Sequence, residues 1–170
     1  MNLIVTSVNG HRGVLKAGAA EYRCALGPAG IWLQKQEGDG VTPAGQFPMR
    51  ALWYRADRLP RPRTGLPVHE IRRESGWCDA PEDPNYNRPV QLPYPASAEH
   101  LWRADHVYDL VVTLGHNDDP VVSHAGSAIF LHIASPDFSP TEGCVAIDRD
   151  ALVEILGALD TQSHIDISAG

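Results

Sequence analysis

The sequence predicts a mainly β fold in one domain spanning residues 1–170. Three observations carry this. Short β-branched and apolar runs recur along the chain, several alternating with polar residues as half-buried strands do. Fourteen prolines and fifteen glycines punctuate those runs, which suits a loop-rich β architecture. Only one segment has a convincing helical period. At 170 residues the chain can bury one real core but not two comfortable ones.

The elements follow in order. Residues 3–6, L-I-V-T, open the first strand. Residues 22–26, Y-R-C-A-L, alternate and stop at Gly27-Pro28, a turn signal. Residues 38–48, G-D-G-V-T-P-A-G-Q-F-P, read as a glycine- and proline-punctuated turn leading into a strand. Most prolines fall in residues 56–97, together with Trp77, Tyr86 and Tyr94. A segment this long and irregular is expected to be an ordered loop packed beside a site. A short helix is expected over residues 98–103, with Ser97 as its cap. Residues 107–114, V-Y-D-L-V-V-T-L, have the composition of a central strand. Residues 128–133, A-I-F-L-H-I, form another. Asp148 then caps a helix whose Leu152, Ile155, Leu156 and Leu159 fall on one face. Residues 164–168, H-I-D-I-S, alternate as the last strand.

Composition excludes some functions. The net charge is -7, and Lys16 and Lys35 are the only lysines. No Lys/Arg run exists to neutralise phosphates, so nucleic acid is not an expected partner. No stretch of about 18 apolar residues could span a bilayer. The opening M-N-L-I-V-T-S-V-N-G has no basic region followed by an apolar core, so no signal peptide is visible. Cytoplasmic residence, a trimmed form and another export route all remain open on that ground. The cysteines are Cys24, Cys78 and Cys144. If Cys24 and Cys78 pair, Cys144 is the free thiol.

The chemistry centres on residues 141–147, T-E-G-C-V-A-I, whose Cys144 lies twelve residues after the strand histidine His132. A cysteine nucleophile needs a base to take its proton, and His132 is the nearest in sequence. Gly143 lets the backbone approach a substrate carbonyl, and the amides around Gly143 and Cys144 can cradle an oxyanion. The bland alternative is a buried, inert thiol beside a satisfied core histidine.

Two motifs together favour the first reading. G-D-G-V-T-P-A-G-Q-F, then a strand histidine about 85 residues later, then T-E-G-C-V, resembles the L,D-transpeptidase (YkuD-type) catalytic domain family. The resemblance runs over roughly residues 2–168 and looks closest to short, single-domain members. It implies a β-sandwich with one or two short helices. It also implies a cysteine acyltransferase acting on peptidoglycan stem peptides, with no metal or organic cofactor. Cys144 would attack the carbonyl of an L-centre followed by a D-residue and hold it as a thioester. The side-chain amine of a diaminopimelate on an acceptor stem would resolve that thioester. His132 would be base and then acid, and Thr141 matches the family's Ser/Thr. Enzymes of this kind work in the bacterial envelope, which makes the periplasm the expected place.

The departures from the family pattern are informative. Relatives usually carry His-Gly where this chain has His132-Ile133, histidine at the place of Glu142, and arginine at the place of Ala146. The missing arginine points to an unusual substrate geometry, such as cross-links formed at the first stem residue (1–3) rather than the third. Arg88 is a candidate to hold a substrate carboxylate bidentately in its stead. Trp77, Asp79 and Asn87 in the same loop, Asn117 and Asp118 after the next strand, and Glu142 complete the candidate substrate-binding set. The plainer readings are a loop-stabilising Arg88 and turn-forming Asn117 and Asp118.

Three rival functions stand beside this one. Water as acceptor would make the protein an L,D-carboxypeptidase or endopeptidase. A non-catalytic cell-wall binding module would have no need of both Cys144 and His132. A zinc hydrolase could use His116, His124 and His132, but their spacing of eight matches no common zinc motif; exposed histidines are the expectation for His116 and His124.

Overall fold

The structure, a computed structural model, describes residues 1–169. In chain order its strands are β1 (Asn2–Asn9), β2 (Arg12–Ala17), β3 (Ala20–Ala25), β4 (Ile31–Trp32), β5 (Thr42–Pro43), β6 (Gly45–Tyr54), β7 (Val68–Glu70), β8 (Ser75–Cys78), β9 (Pro89–Gln91), β10 (Ala98–His100), β11 (Leu110–Leu114), β12 (Phe130–Ile133) and β13 (Val145–Ile147). Helix α1 (Arg149–Leu156) and strand β14 (His164–Ser168) complete it.

The fold is mainly β, as a YkuD-type sandwich requires. Nine strands form one sheet in the order β11-β12-β13-β3-β2-β1-β14-β6-β7, and β6 also pairs with β11. The ten-residue β6 makes this possible: residues 45–48 pair with β14, while residues 49–54 pair with β11. The sheet therefore folds over on itself, and its inner faces meet in one core. Leu3, Val5, Leu15, Leu52, Leu110, Val112, Leu131, Val145, Ile147, Ile165 and Ile167 fill that core. Helix α1 covers it with Leu152, Ile155 and Leu156. Asp148 accepts from the Asp150 amide at 2.9 Å and so caps α1.

A second apolar cluster lies on the opposite face of β11 and β12. Ile71, Leu101, Tyr108, Val111, Phe130 and Cys144 form it, with Trp53, Trp77 and Trp102 packed against it. Strand periodicity dictates the division: Leu110 and Val112 point one way, Val111 the other.

Two expectations need correction, and one open question is answered. Residues 98–103 hold β10, not a helix: Ala98–His100 pairs antiparallel with β8, and cross-strand bonding overrides the weak local propensity. Residues 56–97 are ordered but not a bare loop, since they contain β7, β8 and β9. Cys24 and Cys78 do not pair; all three cysteines are free and buried.

Candidate active site

The period of a strand places the two central side chains. Strands β12 and β13 run parallel with His132 opposite Ala146 and Leu131 opposite Val145. Leu131, Ile133, Val145 and Ile147 enter the main core. Phe130, His132, Cys144 and Ala146 therefore share the other face. Cys144, one residue ahead of β13, sits beside Phe130, whose amide donates to Sγ at 3.3 Å. His132, Cys144 and Ala146 all line one cleft of about 850 Å³.

The two motifs, a hundred residues apart in sequence, touch here. The Thr42 hydroxyl accepts from the Gly27 amide at 2.8 Å. Asp39 accepts from the amides of Gln36 and Val41 at 2.7 and 2.9 Å and pairs with Lys35, which folds the G-D-G-V turn. That turn abuts the cysteine loop. A Cβ on Gly143 would lie 2.7 Å from the Val41 carbonyl oxygen, and Gly143 has φ +126°. Only glycine fits there. Thr141 ties the other side: its amide donates to the Leu26 carbonyl at 3.0 Å, and its hydroxyl donates to the Cys144 carbonyl at 2.7 Å. The Gly143 amide donates to the Thr141 hydroxyl at 3.2 Å.

The resting chemistry is that of a neutral pair. Burial pushes the Cys144 thiol well above its usual range, and the Glu99 charge adds to this. Its S–H donates to the Ala128 carbonyl at 3.2 Å. Burial pushes His132 down to about 4, so its imidazole is neutral at pH 7. His132 Nδ1 donates to the Ile133 carbonyl at 2.9 Å, which leaves Nε2 as the basic nitrogen. Such a pair can move the thiol proton to the imidazole at the moment of attack.

Several other sequence candidates do not reach the cleft. Asn87 is buried and fully committed. Its Oδ1 accepts from Trp77 Nε1 at 2.9 Å and from the Ala128 amide at 3.0 Å. Its Nδ2 donates to the carbonyls of His116 and Asn117 at 3.0 and 2.8 Å. It holds Ala128 at φ +53°, the residue whose carbonyl meets the thiol. Trp77 packs edge-on to Phe130. Arg88 donates to the Asp118 carbonyl at 2.9 Å, and Asp118 pairs with Arg50 at 2.8 Å. Asn117 braces residues 122–126 through its own side chain. Asp79 and Glu142 do line the cleft, with Thr141.

The cleft also holds residues the sequence did not single out. Arg103 is the one arginine lining it; it pairs with Asp105 at 2.6 Å and lies 5.2 Å from the Tyr108 ring. Tyr108 meets His132 edge-on, ring centroids 5.1 Å apart, and its hydroxyl donates to Glu99. Burial raises Glu99 to about 7. No local motif marks these positions. Glu37, also in the cleft, accepts from Tyr86 and from Ser127.

Among the described residues no three His, Cys, Asp or Glu side chains group to hold a metal ion. His116 is half-buried rather than exposed and contacts the Ala125 carbonyl at 3.1 Å, whereas exposed His124 pairs with Glu82. No described helix is long and apolar enough to cross a membrane.

A family model described as the L,D-transpeptidase catalytic domain, YkuD, matches residues 2–167. No curated protein and no solved structure gives a match. Nearly the whole chain is covered, and the G-D-G-V turn that leads into T-P-A-G-Q-F abuts the T-E-G-C loop at the cleft. The chain belongs to the YkuD family of L,D-transpeptidase catalytic domains.

Proposed function

We propose that the whole chain is one catalytic domain that cross-links peptidoglycan stem peptides through a Cys144 thioester. The observation that carries this is the shared face of Cys144 and His132 on one open cleft. The donor carbonyl meets Sγ as His132 Nε2 takes the thiol proton, and the imidazolium then protonates the leaving amine. A thioester remains, and an amine on an acceptor stem releases it as a new amide. Rotation of Sγ away from the Ala128 carbonyl opens the reaction, since the resting thiol is hydrogen-bonded there.

Ala146 shapes the substrate. It stands beside His132 in the ladder where relatives carry arginine, and the cation in this cleft comes instead from Arg103. A carboxylate held from that position supports a shifted register of the stem, with attack at the first residue and a 1–3 cross-link. A peptidoglycan substrate favours work in the bacterial envelope, in the periplasm.

Incubation of purified sacculi with the protein, followed by muropeptide analysis, tests the reading. New dimers linked through the first stem residue are expected with wild type and not with Cys144→Ala. Trimmed stems without dimers would assign hydrolysis instead, and identical profiles for both proteins would reject the enzyme.

A further inference from the structure

The acyl-transfer reading above leaves one proton unplaced, and the next step rests on that reading. An alkyl amine titrates near 10, so the acceptor arrives as an ammonium at neutral pH. It must lose one proton before it can attack and a second as the amide forms. His132 handles one proton per half-reaction, so a second acceptor is needed.

The cleft wall opposite the nucleophile supplies acceptors. Strands β8 and β10 pair with Glu99 opposite Trp77, and the Asp79 amide donates to the Ser97 carbonyl at 3.2 Å. Glu99 and Asp79 are thus diagonal neighbours on one face of this small sheet. Both line the same cleft as Cys144. Tyr108 occupies Glu99 Oε1 with its hydroxyl and touches His132 with its ring edge, leaving Oε2 to an incoming donor. Asp79 Oδ1 is buried without any hydrogen-bond partner. A buried acceptor with no donor is costly, and an ammonium carries three N–H groups to satisfy it.

We propose that Glu99 and Asp79 seat the acceptor ammonium, and that Glu99 is the base that deprotonates it for attack on the Cys144 thioester. One N–H proton passes to the Glu99 carboxylate. The free amine attacks the carbonyl; the C–N bond forms and the C–S bond breaks. The second N–H proton passes through His132 to the departing thiolate, and the third remains on the amide. Glu99 then sheds its proton to solvent. The groups facing Glu99 are Tyr108, Arg103, Asp79, Glu142 and Cys144. With burial, the two carboxylates hold its carboxyl near 7, where one residue can take and release a proton in each turnover.

The test separates the two half-reactions. Wild type, Glu99→Gln and Asp79→Asn are acylated with a donor stem peptide, then mixed with an acceptor stem bearing a diaminopimelate amine. In Glu99→Gln the thioester should still accumulate, detected by intact mass, which also shows that the variant folds. Its transfer to the amine should slow more than tenfold at pH 7 and recover toward wild type near pH 10, where the amine arrives neutral. Asp79→Asn should raise the acceptor concentration needed for half-maximal transfer. Transfer by Glu99→Gln at the wild-type rate, a deficit equal at every pH, or loss of thioester formation in that variant would each overturn the assignment. A wild-type protein that forms no thioester would instead sink the acyl-transfer reading itself.

Discussion

Replacing His132 by glutamine should make the protein less sensitive to acid, and replacing Glu99 by glutamine should make it more so. His132 is depressed from 6.5 to about 4 by burial. Between those values the unfolded chain binds the extra proton, so stability is complete above 6.5 and is lost as pH falls toward 4. The gap corresponds to about 3 kcal/mol. Glu99 is raised from 4.5 to about 7 by burial. There the native state binds the extra proton, so its contribution is complete below 4.5 and is lost as pH rises through 7. That gap is also worth about 3 kcal/mol. The two nearly cancel in wild type. Urea unfolding of all three proteins at pH 4, 5.5 and 7 isolates each term, because the remaining carboxylates cancel in the differences. On acidification from pH 7 to 4, His132→Gln should gain about 3 kcal/mol relative to wild type, and Glu99→Gln should lose a similar amount. Difference curves flat with pH would refute the neutral imidazole and the buried carboxyl together.

Other consequences are more local. Gly143→Ala must move a Cβ from 2.7 Å of the Val41 carbonyl; thioester formation should fall at least tenfold, measured by intact mass. Asn87→Ala leaves Trp77 Nε1 and the Ala128 amide without acceptors; a loss of about 3 kcal/mol is expected, read by thermal melting. Native Cys144 is buried and its thiol is held neutral, so iodoacetamide at pH 8 should alkylate it far more slowly than a cysteine in a short peptide; fast alkylation would contradict the resting hydrogen bond to Ala128.

The positions of Cys144 and His132 were legible because each lies in a motif on or next to a strand, and a strand's period fixes which face a residue takes. Cys144 and His132 share one face for that reason, while loop hydrogen bonds set Thr141 and Gly143. The capped helix was equally plain, since Leu152, Ile155 and Leu156 repeat at helical spacing. Asn87 was singled out for the right loop, but the structure gives its side chain to the protein's own groups rather than to a free surface. Arg88 and Asp118 fell near the cleft in sequence order only. Glu99, Tyr108 and Arg103 stayed hidden because their meeting depends on β10 pairing with β8, a contact between segments about twenty residues apart that no local period announces. Whether Cys24 and Cys78 pair was open in the sequence, because cysteine counting cannot see the fold; the structure leaves both free.

Acylation at Cys144 is the claim on which the rest depends. Mixing the protein with stem-peptide donor, quenching in acid and weighing the intact chain should reveal an adduct equal to the donor less its leaving amine, mapped to the peptide carrying Cys144 and absent from Cys144→Ala. No adduct, or an adduct that survives in Cys144→Ala, would contradict the account.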